Sequence, residues 1–123
     1  MGAKNAFFEE AVSAVIQYRQ IYMMGVSAGA SIALWYAAGY PQIVRVLAVN
    51  PVLQINFDMA LSGMRRFRGE RLNVVVGDRD PSARWAKALA DKSGAQIDIL
   101  PETDHLFSGK LDEFTALPEK YLF

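Results

Sequence analysis

The chain has no cysteine, one histidine and five prolines in 123 residues. Without cysteine it can form neither a disulfide framework nor a thiolate metal site, although the redox compartment stays open. It also lacks an excess of either charge, with 13 Lys and Arg against 13 Asp and Glu. That balance argues against nucleic acid or an anionic membrane as the main partner, because both call for a sustained positive field. Arg, Gln, Asp or Lys interrupts every apolar run before it reaches membrane-spanning length. The opening Met1-Gly2-Ala3-Lys4-Asn5-Ala6-Phe7 carries no signal-peptide core, and Ala6 stands where a myristoylation signal needs Ser or Thr. These absences lead to the expectation of a cytoplasmic protein with no membrane or nucleic-acid partner.

The hydrophobic fraction of 52% and charged fraction of 21% suit one globular domain, residues 1–123, with a single core. There is no repeat, low-complexity stretch or linker. Phe7, Phe8, Ala11, Val12, Val15 and Ile16 recur at three- and four-residue steps, which predicts an amphipathic helix from Ala3 to Arg19. Short apolar runs at Ile21 to Met24, Val44 to Val49, Leu72 to Val76 and Ile97 to Leu100 read as strands. Ala28 to Ala38 is apolar almost all round, which predicts a buried helix stopped by Gly39-Tyr40-Pro41. Ser82 to Lys92 reads as a helix with Pro81 near its start, and Leu106 onward as another, broken at Pro118. Strands separated by helices, and mostly apolar along their length, predict a three-layer α/β/α domain on a mainly parallel sheet of about four strands.

Gly25-Val26-Ser27-Ala28-Gly29 is a G-x-S-x-G pattern set between a predicted strand and a predicted helix. In that setting the pattern presents a serine on a sharp turn, with small flanks keeping strand and helix apart. The helix N-terminus directs the Ala28 N–H and the positive dipole end at the place where an oxyanion would form. A serine hydroxyl needs a base, and the single histidine, His105, follows the fourth strand. Gly77-Asp78-Arg79-Asp80-Pro81 ends the third strand and offers two carboxylates that could orient the imidazole. Asp80, ahead of Pro81, also qualifies as a helix N-cap. The order Ser, Asp, His along the chain is that of one known hydrolase arrangement.

Taken together, Tyr22 to Phe107 resembles the C-terminal half of α/β-hydrolases of the small esterase, thioesterase and dienelactone hydrolase type. Beside the elbow, Gly77-Asp78-Arg79-Asp80 matches the family's Gly-x-x-Asp turn, and Asp104-His105-Leu106-Phe107 its Asp-His-x-Phe segment. The resemblance implies Ser27 as nucleophile, His105 as base, Asp80 as orienting acid with Asp78 as the alternative, and Ala28 as an oxyanion donor. It implies a small-molecule acyl substrate, an ester or thioester, and no cofactor or metal.

The chain departs from that family in showing a single helix before the elbow strand, so the resemblance implies a truncated α/β-hydrolase fold. The family's second oxyanion donor belongs to a loop of the other half, and losing one donor typically costs about 10²–10³ in rate. The elbow strand would lie at a sheet edge, and an unprotected apolar edge invites pairing. The expectation is a homodimer joined through Ile21 to Gly25. A non-catalytic or degenerate hydrolase-fold binding or assembly module is the alternative. Arg65, Arg66, Arg68 and Arg71 read as a solvated helix end. Phe57, Met59, Leu61 and Met64 fall where the family often inserts a cap, and suit either core packing or an acyl site.

Overall fold

The structure is a computed structural model that describes residues 6–13 and 20–123. Four strands, β1 (Ile21–Val26), β2 (Ile43–Val49), β3 (Arg71–Gly77) and β4 (Ile97–Leu100), form a parallel sheet in the order β1-β2-β3-β4. Among the described residues, five α-helices accompany them: α1 (Ala6–Ser13), α2 (Ala28–Tyr36), α3 (Leu53–Arg66), α4 (Ala83–Ser93) and α5 (Leu111–Tyr121). This is the α/β arrangement predicted from the alternation of strand and helix patterns.

Successive side chains of a strand point to opposite faces, and the core divides accordingly. Ala48, Val74 and Val76 pack with Leu34, Leu61, Met64 and Leu89 of α2, α3 and α4 on one face. Phe8 and Val12 of α1 join Ile43, Val46 and Ala33 on the same side. Leu47, Val49 and Val75 point the other way, against Leu117, Tyr121 and Leu122 at the end of α5. Because both faces are covered, Val74, Val75 and Val76 are all buried, which explains a continuous apolar run.

Three expectations need correction. The last helix begins at Leu111, since Leu106 and Phe107 belong to a loop in which Phe107 takes a φ of 54°. Pro118 does not break that helix, which runs on to Tyr121 because Leu117, Tyr121 and Leu122 are buried against the sheet. Packing there outweighs the local penalty of proline. The helix after β1 is also less enclosed than an all-round apolar pattern predicts: Ala30, Ser31, Ala33 and Leu34 are buried, while Ile32, Trp35 and Tyr36 are half-buried. It ends in a 3₁₀ turn at Ala37–Gly39. Of the predicted Ala3 to Arg19 helix, residues 3–5 and 14–19 lie outside the described residues.

The segment from Leu53 to Arg66, of which the sequence pattern marked only a helix end at its arginines, is α3, irregular at Asn56 (φ −111°, ψ 25°). Leu61 and Met64 are core residues there, and Phe57 packs on that core and against Trp85, with 6.1 Å between ring centroids. Met59 lines a small hollow of about 150 Å³ beside α2. The arginines close helix and chain ends: Arg65 donates to the Lys92 carbonyl, Arg66 to that of Trp35 and Arg71 to that of Tyr121. Among the described residues, no helix is long and apolar enough to cross a membrane.

Candidate active site

The carboxyl ends of β1, β2 and β3 lie side by side, with Val26 paired to Val49 and Val49 to Val75. The residue after each strand donates its amide to the neighbouring strand: Ser27 to Val49, Asn50 to Val75 and Asp78 to Leu100, at 2.8–2.9 Å. In parallel sheets covered by helices, this edge is where ligands bind.

Ser27 sits at the turn between β1 and α2 with φ 58° and ψ −122°. A non-glycine residue at positive φ carries a cost of order 1–3 kcal/mol, held in place by its surroundings. Those surroundings include Gly25: a Cβ there would stand 2.4 Å from the Gly29 carbonyl oxygen and 2.9 Å from the Ala30 Cα. The strand end and the first turn of the helix therefore touch backbone to backbone. Gly29 differs, because a Cβ there would meet nothing within 4 Å. The first glycine of the pattern is required by space; the second is not. The Ser27 side chain makes no capping bond to α2. Its Oγ lies 2.8 Å from His105 Nε2 instead. Ala28 opens α2, so its N–H belongs to the positive end of the helix.

His105 bridges two elements. Its Nδ1 is hydrogen-bonded to Asp80 Oδ1, which leaves Nε2 to accept the Ser27 hydroxyl proton. Asp80 is 5% exposed, and its second oxygen accepts the Ser82 amide at 2.8 Å and the Ser82 hydroxyl. A buried carboxylate is tolerable only when so engaged. Asp80 thus faces His105 with one oxygen and organises the entry to α4 with the other.

Asp78 does not reach the imidazole. Its Oδ1 accepts the Thr103 amide at 3.2 Å, tying the turn after β3 to the loop after β4. A close approach makes the same connection: a Cβ on Gly77 would stand 2.3 Å from the Thr103 carbonyl oxygen. Asp104 shapes the histidine loop from within, its Oδ1 accepting the amides of Leu106 at 3.1 Å and Ser108 at 2.9 Å. The Ser108 amide is the main cause that holds the Asp104 carboxyl below its ordinary range.

Ser27 and His105 open onto a groove of about 730 Å³ lined by Val26, Leu106, Phe107, Leu111 and Phe114, with Asp112 and Glu113 also on its wall. Sequence reasoning missed Ser82, whose role is visible only once Asp80 is seen buried. It also missed the groove's apolar wall, since Leu111 and Phe114 had been assigned to a helix already running from Leu106. Among the described residues, no group of three or more His, Asp or Glu side chains could hold a metal ion.

No family model matches the sequence, and no curated protein matches it. Solved structures do. A protein of unknown function from Agrobacterium tumefaciens, described as a putative α/β hydrolase, superposes with a TM-score of 0.73 at 22% identity over 95% of this chain and 56% of its own. Est1E from Butyrivibrio proteoclasticus gives a TM-score of 0.76 at 14% identity, over 92% of this chain and 65% of its own. A predicted CIB-like hydrolase from Thermoplasma acidophilum gives 0.66 at 24%, over 90% and 54%. The chain therefore spans between about half and two thirds of the length of these neighbours. At such identities the likeness shows the fold, which is a partial α/β-hydrolase fold.

Proposed function

We propose that this chain is a serine hydrolase acting on carboxylic esters or thioesters through an acyl-enzyme. The observation that supports it most is the continuous hydrogen-bond path from buried Asp80 through His105 to Ser27, a serine in a strained backbone turn. In this reading Ser27 Oγ attacks the acyl carbonyl carbon while its proton passes to His105 Nε2. Asp80 stabilises the imidazolium through Nδ1–H. The oxyanion forms at the Ala28 N–H, where the α2 dipole favours negative charge. His105 returns the proton to the leaving alcohol or thiol as the tetrahedral intermediate collapses. Water, deprotonated by the same nitrogen, then releases the acid and restores Ser27. The groove walled by Val26, Leu106, Leu111 and Phe114 suits an apolar acyl portion.

The test combines a fluorophosphonate probe with a p-nitrophenyl ester. A covalent adduct and a burst of nitrophenol, both abolished by Ser27→Ala, are expected. A well-folded protein that takes up no probe would exclude the reading. One observation favours a binding or assembly module: among the described residues β1 has a single neighbour, leaving Val26, 38% exposed, beside an open groove. Under that reading Ser27 stays unlabelled although the fold is intact.

A further inference from the structure

We propose that Asn50 is a positioning residue for His105, holding the histidine loop and the acid turn in register so that the imidazole spans Asp80 and Ser27. The inference rests on the functional reading above. It concerns a residue that the sequence marks only as the end of a strand, ahead of Pro51.

Asn50 is fully buried at the carboxyl end of β2, between the strand that presents Ser27 and the strand that leads to Asp80. Its Oδ1 accepts the Gly77 amide at 2.8 Å. Its Nδ2 donates to the His105 carbonyl at 3.0 Å and to the Asp104 carbonyl at 3.4 Å. One amide group therefore joins the first residue of the acid turn to the backbone of the base. Asp78 and Thr103 tie the same two segments together elsewhere, so the loop is fixed at two points and cannot pivot about either.

The position specifies asparagine twice. Its φ is 49°, a left-handed conformation that asparagine adopts more readily than most non-glycine residues. It must also present an acceptor to an N–H and a donor to two carbonyls within one planar group. Aspartate keeps the acceptor and loses the donor, setting a negative charge against two carbonyl oxygens. Glycine suits the backbone but provides neither bond, leaving the buried Gly77 N–H and the His105 carbonyl without this partner. Asn50 contacts no reacting atom in this scheme. Its influence reaches the chemistry through the placement of the imidazole, where a displacement of about 1 Å can cost roughly 10² in rate.

Because His105 is the only histidine, its imidazole ¹⁵N spectrum can be read without assignment ambiguity. In the 123-residue chain, near neutral pH, the Nδ1-protonated tautomer bonded to Asp80 is expected. In Asn50→Gly and Asn50→Asp that preference should be lost, while Ile43→Ala, a core variant at the opposite end of β2, keeps it. With p-nitrophenyl butyrate, kcat should fall about 10²-fold in both Asn50 variants, with KM little changed. An unaltered ¹⁵N pattern in folded Asn50→Gly overturns the proposal. So does an equal disturbance in Ile43→Ala, or failure of both Asn50 variants to fold, since each reduces Asn50 to a purely structural residue. Absence of fluorophosphonate labelling in the wild type defeats the hydrolase reading alone, because the imidazole spectra still decide what Asn50 does.

Discussion

Substituting the two glycines of Gly25-Val26-Ser27-Ala28-Gly29 one at a time should move stability in opposite directions. At Gly25 an alanine Cβ would lie 2.4 Å from the Gly29 carbonyl oxygen and 2.7 Å from its carbon. Ordinary contact begins near 3.4 Å, so β1 and α2 must separate by about 1 Å, and the atoms that must yield are backbone. Overpacking of this kind costs typically about 1–3 kcal/mol. At Gly29 the added methyl meets nothing within 4 Å, and replacing a helical glycine gains roughly 0.5–1 kcal/mol. For a chain of 123 residues, an unfolding entropy near 2.1 cal/mol/K per residue makes 1 kcal/mol worth about 4 °C. Calorimetry should therefore show Gly25→Ala melting about 4–12 °C below the wild type and Gly29→Ala about 2–4 °C above it. The same displacement moves Ser27, so Gly25→Ala should also slow fluorophosphonate labelling by about 10²-fold. Shifts of the same sign in both variants, or wild-type melting in Gly25→Ala, would refute the close-approach argument.

Asp80→Asn should reduce ester turnover by about 10⁴, as when a buried acid no longer sets the histidine tautomer. Asp78→Asn keeps an oxygen for the Thr103 amide and should retain most activity, so equal losses in the two variants would contradict the assignment of the acid. Tyr121 donates its hydroxyl proton to Asp98, and burial, followed by that bond and its charge, pushes its ionisation well above the ordinary value. A raised folded-state value means stability that is complete below the unfolded value, near pH 10, and is lost as pH climbs through the folded one. Tyr121→Phe should lose stability at neutral pH and show less of that alkaline decline, checked by urea melts across the alkaline range. Finally, β1 is expected to pair with a second copy through Ile21 to Gly25. Sedimentation velocity should show a dimer that Tyr22→Lys with Val26→Lys converts to monomer, both residues being exposed on β1 at 37% and 38%. A concentration-independent wild-type monomer would end that expectation.

Much of the fold was legible because the strands are short and mostly apolar, so Val44 to Val49 and Leu72 to Val76 stand out despite Arg45 and Asn73 and need no partner information to be recognised. Two kinds of feature were not. Where tertiary burial opposes a local rule, the local rule misleads: Pro118 lies inside α5 because Leu117 and Tyr121 are anchored in the core. Where apolar residues lie off the buried stripe, as Ile55 and Met59 do beside Leu53, Phe57, Ala60, Leu61 and Met64 of α3, the helical period is present but blurred and does not announce the helix.

By itself the sequence determined the chemical inventory: a serine in a G-x-S-x-G turn, one histidine, two candidate carboxylates, and their order along strands that end at a common edge. These follow from residue identity and periodicity, which are local properties. The resemblance favoured Asp80 over Asp78, but only the tertiary structure shows which carboxylate meets the imidazole, because the two are two residues apart and differ in what the folded loops bring to them. It turned Asp78 to the Thr103 amide and Asp80 to His105, and it set Asn50 between the acid turn and the base. Hydrogen-bond partners distant in the chain are fixed by the register of the strands, and that register is a property of the packed sheet.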